Sequence, residues 1–274
     1  MDELEPLLGR TLVLVAHQDD ETIGCGALLQ RMRDPLVVFA TDGAPREQKF
    51  WHGLGTRFEY VQERKNEALQ VLQIAGVQDC EFLADYGPDV FVDQELFRRL
   101  REALDVLARI VQAARPKALL THAYEGGHPD HDACSFIGCV LGRQFGLPVW
   151  EMPLYYRMQE PKGIQQFLQE GKGEIVLEPT PAEREIKDLM VRSYVSQTEI
   201  FLEFPERAER FRPQPDYDYS RPPHDGVLNY EAWGWPISGK EVAAAFAEFS
   251  QARSARRSAR IEQSAVGQRR AGFP

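Results

Sequence analysis

The ten residues LVLVAHQDDE, Leu12 to Glu21, change character halfway along. The first five are apolar, and a short uninterrupted apolar run is typical of a strand buried on both faces of a parallel sheet. The last five include His17, Asp19 and Asp20, whose side chains can bind a metal or carry a proton. Because ligands of open parallel sheets bind beyond the carboxyl ends of the strands, this stretch predicts a strand that leads directly into a functional site.

The alternation of strand and helix continues outward from this stretch. Predicted strands cover residues 11–16, 36–43, 80–85, 117–123 and 148–156, and predicted helices cover residues 21–34, 58–76, 96–116 and 131–146. Gly76 and Gly146 stand where the C-terminal caps of two of these helices belong. Strands that alternate with helices pair in parallel through right-handed crossovers, so the sequence predicts an α/β fold with a mostly parallel sheet between layers of helices.

The second half of the chain follows a different pattern. A strand over residues 173–179 and a helix over 181–197 are predicted first, the helix being preceded by Thr180 and Pro181. Residues of about 205–236 are rich in proline and aromatic side chains without a regular period, which predicts an ordered surface excursion. Residues 250–274 carry six arginines and one glutamate. We therefore predict a single domain over residues 1–249 and a peripheral basic tail over 250–274.

Composition and charge narrow the classes of function. The chain has 274 residues, 43% of them hydrophobic, and no apolar run long enough for a membrane span is predicted. Its formal charge of −10 disfavours a nucleic-acid partner. The acidic start of the chain is unlike a secretory signal, and the four cysteines form no CxxC pair. These features predict a cytoplasmic protein with reduced thiols.

Two clusters of histidine and aspartate suggest a metal centre. They are His17-Gln18-Asp19-Asp20 and His128-Pro129-Asp130-His131, and each follows a predicted strand. Catalytic zinc is held by imidazole and carboxylate ligands, usually three, with one position left for water. His17, Asp20 and His131 could converge on such an ion. Imidazole and carboxylate also suit iron, so the sequence leaves the choice between Zn²⁺ and Fe²⁺ open.

The two clusters also resemble the signature motifs of a known family. AHQDDE, followed about 110 residues later by GHPDH, is similar to the AHPDDE and HPDH motifs of the LmbE-like, or PIG-L, metal-dependent N-deacetylases. Further similarities are ATDG at 40–43, ERKNEAL at 63–69, LADYG at 83–87 and IKDLMVRSYVSQ at 186–197. The resemblance implies a Rossmann-like three-layer α/β/α sandwich and a hydrolase that cleaves an N-acyl bond.

The resemblance further implies roles for individual residues. His17, Asp20 and His131 match the zinc ligands, and Asp19 matches the general base that activates water. Adjacent side chains in extended backbone point in different directions, so one aspartate can face the ion while the other reaches the water.

The remaining matched residues concern the reacting group and the substrate. His128 matches the histidine that stabilises the oxyanion or protonates the leaving amine, and Asp130 is expected to orient it. Arg64 and Asp85 match positions that hold sugar hydroxyls. Gly126 replaces a tyrosine that assists the oxyanion in some family members, and we expect Tyr124 or a residue of the late loop to substitute for it.

Several other residues are candidates for the site. His224 is predicted to line it together with aromatic residues of the late loop, which could stack on a sugar ring: Tyr217, Tyr219, Tyr230, Trp233 and Trp235. Those aromatic residues could equally well bury the loop against the body. Glu21 is expected to interact with the free backbone N–H groups at the start of a helix. His52 and His122 are expected to be structural.

Three functions follow from these observations. The leading one is a zinc-dependent hydrolase that removes an acyl group, most simply acetyl, from an N-acetylglucosamine-type aminosugar or glycoconjugate. The alternative is a metal-dependent amidase for another small N-acyl compound or thiol conjugate. A remote third is a dinucleotide-binding Rossmann module, but Gly24 and Gly26 lie too far beyond the first strand for its glycine-rich turn. The expected partner is a small molecule, and assembly into a homo-oligomer stays open.

Overall fold

A computed structural model describes residues 2–87, 89–158, 162–204 and 208–270. Nine strands are described in these ranges: β1 (Thr11–Val15), β2 (Leu36–Phe39), β3 (Asp79–Phe82), β4 (Ala118–His122), β5 (Val149–Met152), β6 (Tyr155–Tyr156), β7 (Gly163–Ile164), β8 (Ile175–Leu177) and β9 (Glu209–Pro213). The α-helices described there are α1 (Asp20–Arg31), α2 (Arg57–Ile74), α3 (Leu100–Ala114), α4 (Pro129–Phe145), α5 (Pro181–Ser193), α6 (Thr198–Phe201), α7 (Asn229–Ala232) and α8 (Gly239–Arg270).

A seven-stranded sheet forms the centre of the protein. Its strand order is β3-β2-β1-β4-β5-β9-β8, and the first five of these strands are all parallel to one another. Strand β9 pairs antiparallel with both β5 and β8. Strands β6 and β7 form a separate two-stranded sheet. The predicted α/β fold with a mostly parallel sheet is confirmed.

Two apolar cores lie on opposite faces of the sheet. Leu12 and Leu14 of β1 point into one core, which α3, α4 and α8 cover. Val13 and Val15 point into the other, which α1, α2 and α5 cover. Successive side chains of a strand face opposite sides, so a fully apolar β1 requires helices on both faces. The result is a three-layer α/β/α sandwich.

The structure differs from the sequence prediction at three places. The strand predicted over 148–156 is divided into β5 and β6. Part of the predicted surface excursion is strand β9, whose Arg212 pairs at 2.7 Å with the buried Glu151 of β5. Because β9 places a charged residue at a buried position, its sequence lacks the alternation of apolar and polar residues by which strands are recognised. The basic segment from Ser250 continues helix α8 to Arg270, and its peripheral location stays a prediction.

Helix α1, which begins at Asp20, is broken in its middle. Cys25 has φ −148° and ψ 23°, outside the helical range. The backbone groups released by the break are bound by side chains: the Glu209 carboxylate accepts the N–H groups of Ala27 and Leu28 at 2.6 and 2.9 Å. Lys187 donates to the Ile23 carbonyl at 3.1 Å and to Glu209 at 2.6 Å. This buried pair holds the first turn of α1, and with it Asp20, in a fixed direction.

Within the described ranges, no helix is both long enough and apolar enough to cross a membrane.

Candidate metal centre

The first signature motif forms the turn between β1 and α1. His17 follows the strand, and its backbone N–H donates to Asp20 Oδ2 at 2.7 Å. Asp19 caps the helix with φ 153° and ψ −30°, in a region where residues other than glycine are strained. Strain of this kind persists only where the surrounding structure imposes it. The turn thereby presents Asp19 and Asp20 in different directions, as expected.

The second motif forms the corresponding turn between β4 and α4. Pro129 is at the start of the helix, and His128 caps it by accepting the Asp130 N–H at Nδ1, 3.1 Å away. His131 lies in the first helical turn. Because β1 and β4 are neighbouring parallel strands, their carboxyl ends bring the two motifs together.

The three predicted metal ligands do converge. Asp20 Oδ2 lies 3.4 Å from His17 Nδ1, Asp20 Oδ1 lies 3.3 Å from His131 Nε2, and the two histidine nitrogens are 3.4 Å apart. Ligand atoms bound tetrahedrally at about 2.0–2.1 Å from one ion are separated by about 3.3–3.4 Å. Each pairwise spacing is that of donor atoms around one divalent transition metal, with Asp20 facing His17 through Oδ2 and His131 through Oδ1.

His122 is also buried near these ligands, but its nearer nitrogen already accepts a hydrogen bond and is not free to bind an ion. Its Nε2 is 3.4 Å from Asp20 Oδ2, but it accepts the Ala16 backbone N–H at 3.0 Å. Its ring stacks on His131 with centroids 4.1 Å apart and an interplanar angle of 9°. His122 therefore packs against the predicted ligand His131, in agreement with the structural role expected for it.

The second nitrogen of His17 faces two carboxylates. Nε2 is 3.3 Å from Asp130 Oδ2 and 3.2 Å from Asp93 Oδ1. Asp130 is fixed in turn by the backbone N–H groups of Gln94 and Leu96, at 2.6 and 3.0 Å. A carboxylate that accepts the outer N–H of a ligating histidine fixes the tautomer of that ring and strengthens its binding.

The expected role of Asp130 in orienting His128 stays a prediction, because the shorter contact between the two residues is made by the Asp130 backbone N–H and not by its carboxylate. The Asp130 carboxylate is 3.9 Å from His128 Nδ1, and that nitrogen accepts a backbone N–H instead. A nitrogen that accepts a hydrogen bond carries no proton, so the neutral ring of His128 is protonated on Nε2. Burial, followed by the positive charges of His17 and His131, holds the pKa of His128 well below its usual range. His128 is thus a neutral hydrogen-bond donor.

Asp19 lies beside the ligands and is paired with Arg64. Arg64 Nη2 is 3.4 Å from Asp19 Oδ2 and donates to the Gln18 carbonyl at 2.6 Å. Burial raises the pKa of Asp19 to about 7, with the Arg64 charge acting in the opposite direction. A general base is most effective when its pKa is close to the working pH.

The three predicted substrate residues lie in different surroundings. Arg64 is buried beside Asp19, and its Nε has no hydrogen-bond partner among the described residues. Asp85 is exposed and pairs with Lys65 at 2.6 Å. His224 accepts the Gly226 N–H within its own loop. The structure thus brings Arg64 to the ligand cluster, and the roles of Asp85 and His224 stay predictions.

Glu21 has the structural role predicted for it. Its carboxylate accepts the Asp19 backbone N–H at 3.1 Å and the Tyr194 hydroxyl at 2.8 Å. It is fully buried and forms part of the support of the turn.

The aromatic residues of the late loop divide into two groups. Three of the tyrosines pack in or against the core beneath α8, as expected if they bury the loop against the body: Tyr217, Tyr219 and Tyr230. Trp235, which also packs against that core, meets His128 edge to face with ring centroids 5.1 Å apart, and Trp233 lies 5.0 Å from Trp235. The two tryptophans therefore form an aromatic wall next to the site.

Asp93 is the main site residue that sequence analysis missed. Its Oδ1 lies 3.2 Å from His17 Nε2 and 3.5 Å from His128 Nε2. It stands in the loop VFVDQELF, where a single aspartate among apolar residues gives no metal or catalytic pattern. The adjacent Gln94, with φ 72°, donates its backbone N–H to Asp130. The loop thus reaches the site through tertiary contacts alone.

A Rossmann-like α/β sandwich with a His-Asp-His centre at the carboxyl edge of its sheet defines the class of the protein. The model of the family described as PIG-L, GlcNAc-PI de-N-acetylase, matches residues 12–140. This segment contains both motifs, so the resemblance inferred from them is confirmed.

A curated relative is similar to part of the chain. The 1D-myo-inositol 2-acetamido-2-deoxy-alpha-D-glucopyranoside deacetylase of a Nocardioides species is 29% identical over 150 residues, covering 44% of this chain. The match spans about half (50%) of the length of that relative.

Solved structures share the fold over most of the chain. The zinc-inhibited form of teicoplanin deacetylase Orf2 has a TM-score of 0.53 and 18% identity, covering 74% of this chain and 97% of Orf2. The N,N'-diacetylchitobiose deacetylase of Pyrococcus horikoshii has a TM-score of 0.52 and 19% identity, covering 79% and 87%. At these identities the likeness establishes the fold.

Proposed function

We propose that this protein is a metal-dependent N-deacetylase that hydrolyses the acetamido group of an N-acetylglucosamine-type aminosugar or glycoconjugate. The observation that carries the proposal is the cluster of His17, Asp20 and His131 donor atoms, whose pairwise contacts are 3.3–3.4 Å, together with the buried Asp19 carboxylate in the same turn. Ligands and base with these relative positions suit the hydrolysis of an unactivated amide.

His17, Asp20 and His131 would hold the metal ion, for which we propose Zn²⁺, with Fe²⁺ as the alternative. When bound, the ion lowers the pKa of water and polarises the acyl oxygen. Asp20 is suited to this role because its neighbours His131 and His122 hold its pKa well below the usual range, although burial acts in the opposite direction.

Asp19 would act as the general base. In its ionised form it accepts the proton of the attacking water, and Arg64 at 3.4 Å keeps the carboxylate oriented and charged. The strained backbone of Asp19 fixes the direction of this side chain, so little reorganisation is needed when the substrate binds. As the C–N bond breaks, the same carboxyl group can transfer this proton to the leaving nitrogen, so that a neutral amine departs.

His128 would stabilise the oxygen of the acetyl group as negative charge develops on it. Its Nε2 carries the proton because Nδ1 is engaged by the helix backbone, and Trp235 packs against the ring and restricts its motion. A hydrogen-bond donor fixed in this way contributes on the order of 3 kcal/mol to the stabilisation of a tetrahedral oxyanion.

The substrate class and the compartment belong to the same proposal. The relative and the solved structures reported above are named as deacetylases of an acetamido sugar, of teicoplanin and of N,N'-diacetylchitobiose. The two tryptophans next to His128, whose rings are tilted by 43° against each other, offer aromatic faces of the kind on which a sugar ring stacks. All four cysteines are free, which suits a reducing compartment such as the cytoplasm.

The proposal is tested by measuring acetate release. Protein loaded with one equivalent of zinc is incubated with N-acetylglucosamine, its inositol glycoside and N,N'-diacetylchitobiose, and the same reactions are run after chelation. We expect release from at least one sugar, its loss on chelation and its recovery with zinc. Release from N-acyl thiol conjugates alone would favour the amidase alternative, and chelator-resistant release would contradict a metal-dependent reaction.

A further inference from the structure

We propose that Gln18 is a positioning residue for Asp19, the proposed general base. This role rests on the proposed deacetylase function and deepens it. Gln18 takes the place of the proline in the AHPDDE motif, so the resemblance to the family assigns it no part in the reaction. The residue is only 1% exposed, and its side chain is not presented to a substrate. An effect of Gln18 on the reaction must therefore pass through its neighbours.

The side chain of Gln18 ties the first motif to the neighbouring strand. Its Nε2 donates to the Thr41 carbonyl at 3.0 Å, just beyond the end of β2. Thr41 is itself bound to the end of β1, because its hydroxyl and its backbone N–H both donate to the Ala16 carbonyl, at 2.9 and 3.0 Å. The turn that carries Asp19 is thus anchored to the edge of the sheet through the Gln18 amide.

The peptide group between Gln18 and Asp19 is held at both its oxygen and its N–H. The Gln18 carbonyl accepts from Arg64 Nη2 at 2.6 Å, and the Asp19 N–H donates to the Glu21 carboxylate at 3.1 Å. This peptide precedes the strained φ of 153° at Asp19, which persists only where the surroundings impose it. The Gln18 side chain supplies the anchor on the N-terminal side of the strained residue.

The amide oxygen of Gln18 shares a small buried space with Arg64. Gly43, with φ 65°, borders this space: a β-carbon there would lie 2.1 Å from Gln18 Oε1 and 3.4 Å from Arg64 Cζ. Among the described residues, neither Gln18 Oε1 nor Arg64 Nε has a hydrogen-bond partner. The negative end of the amide dipole therefore lies near the guanidinium that pairs with Asp19 at 3.4 Å, and it stabilises that cation in place. Gln18 thus acts on both the backbone and the charge partner of Asp19.

Removing the amide releases these restraints and leaves the predicted metal ligands untouched. The hydrogen bond of the Gln18 side chain goes to Thr41 and involves none of the ligands. A displacement of a reacting group by about 1 Å can lower a rate about 100-fold. Arg64 and Glu21 still hold the peptide when the amide is lost. We therefore expect a smaller loss, about tenfold in kcat.

The test compares Gln18→Met, which keeps the length of the side chain, with the matched control Gln30→Met. The Gln30 amide also donates to backbone carbonyls, those of Gly26 and Glu183 at 3.1 Å, but it lies near the far end of α1. Both variants are loaded with zinc and assayed on the acetamido sugar that releases most acetate. For Gln18→Met we expect kcat about tenfold lower, KM changed less than threefold and one equivalent of zinc. Gln30→Met should match the wild type in all three.

Two further measurements separate positioning from a general effect on the fold. In an Asp19→Asn background, Gln18→Met should lower kcat no further, because the group that Gln18 positions is gone. In a crystal structure of zinc-loaded Gln18→Met, the Asp19 backbone should leave the strained region or its carboxylate should move away from Arg64. Gln18→Asn, whose amide is one methylene further from Thr41, should show the same loss of kcat and replaces Gln18→Met if that variant unfolds more readily in urea than Gln30→Met.

Three results would overturn the positioning role. One is a kcat of Gln18→Met and Gln18→Asn equal to that of Gln30→Met. Another is the same tenfold loss in the Asp19→Asn background, which would mean that Gln18 acts independently of Asp19. The third is an unchanged Asp19 φ and an unchanged contact with Arg64 in the variant crystal. That structure needs no turnover, so a wild type that binds zinc without releasing acetate would refute the deacetylase function, while the crystal would still decide whether Gln18 positions Asp19.

Discussion

Replacing Asp130 by asparagine tests whether its carboxylate supports the predicted ligand His17 or acts through His128. The structure has Asp130 Oδ1 accepting the Leu96 N–H, and Oδ2 accepting the Gln94 N–H and facing His17 Nε2 at 3.3 Å. Asparagine keeps one acceptor oxygen and turns an N–H₂ group towards at least one of these donors. The hydrogen bond between His17 Nε2 and the side chain at position 130 is therefore lost, or it competes with the backbone N–H groups for the one remaining acceptor oxygen.

The size of the effect follows from the surroundings of His17. Loss of the outer partner of a ligating histidine typically weakens metal binding about 10- to 100-fold, or about 1.4–2.7 kcal/mol. Asp93 Oδ1 lies 3.2 Å from the same nitrogen and can keep a hydrogen bond to it. We therefore expect the lower end of the range, a zinc Kd raised about tenfold.

Zinc affinity is measured by titrating metal-free protein against a fluorescent chelator at fixed pH. Asp85→Asn is the control, because Asp85 is exposed and paired with Lys65, and its affinity should equal that of the wild type. An Asp130→Asn variant with unchanged zinc affinity but lower kcat would refute the reasoning. It would mean that Asp130 acts through His128, as the sequence motif alone predicts.

Three further predictions concern the base, a buried ion pair and pH. Asp19→Asn should lower kcat by 10²- to 10⁴-fold while one equivalent of zinc stays bound, measured by acetate release and metal analysis. Lys187→Met leaves the Glu209 carboxylate, 2.6 Å away and fully buried, without its cation, and should lower the free energy of unfolding in urea by about 3–5 kcal/mol. Arg98→Met, which breaks a pair of equal length with both side chains 44% exposed, should cost less than about 1 kcal/mol. The Arg31 guanidinium lowers the pKa of Glu183 to about 2, so its stabilisation is present above about pH 4.5 and is lost as the pH falls towards 2. The difference in unfolding free energy between wild type and Glu183→Gln should therefore shrink over that range, and a constant difference would contradict the assignment.

Much of the fold could be predicted from the sequence because its strongest patterns are local. The apolar runs at β1, β2 and β4 and the capped helices between them have lengths and periods that indicate their structure directly. The ligands could be predicted for a related reason. Each motif is a short turn at a strand end, and neighbouring parallel strands must bring their ends together.

The rest depends on contacts between distant segments. Strand β9 carries Arg212 at a buried position because Glu151 lies opposite, so its pattern is not that of an apolar strand. Asp93 reaches the site from a segment with no motif, and only its distance to His17 reveals it. The contacts of the Asp130 carboxylate with His17, Gln94 and Leu96 could not be predicted, because proximity in sequence to His128 does not determine where a carboxylate in a helical turn points.

The central claim is that His17, Asp20 and His131 bind a single divalent ion together. It is tested most directly by anomalous diffraction at the zinc edge from crystals of the protein loaded with one equivalent of zinc. The account predicts one strong peak about 2.0–2.1 Å from His17 Nδ1, His131 Nε2 and an Asp20 carboxylate oxygen. A sole peak among Asp93, His128 and Asp130, or no ordered zinc at this edge of the sheet, would contradict it.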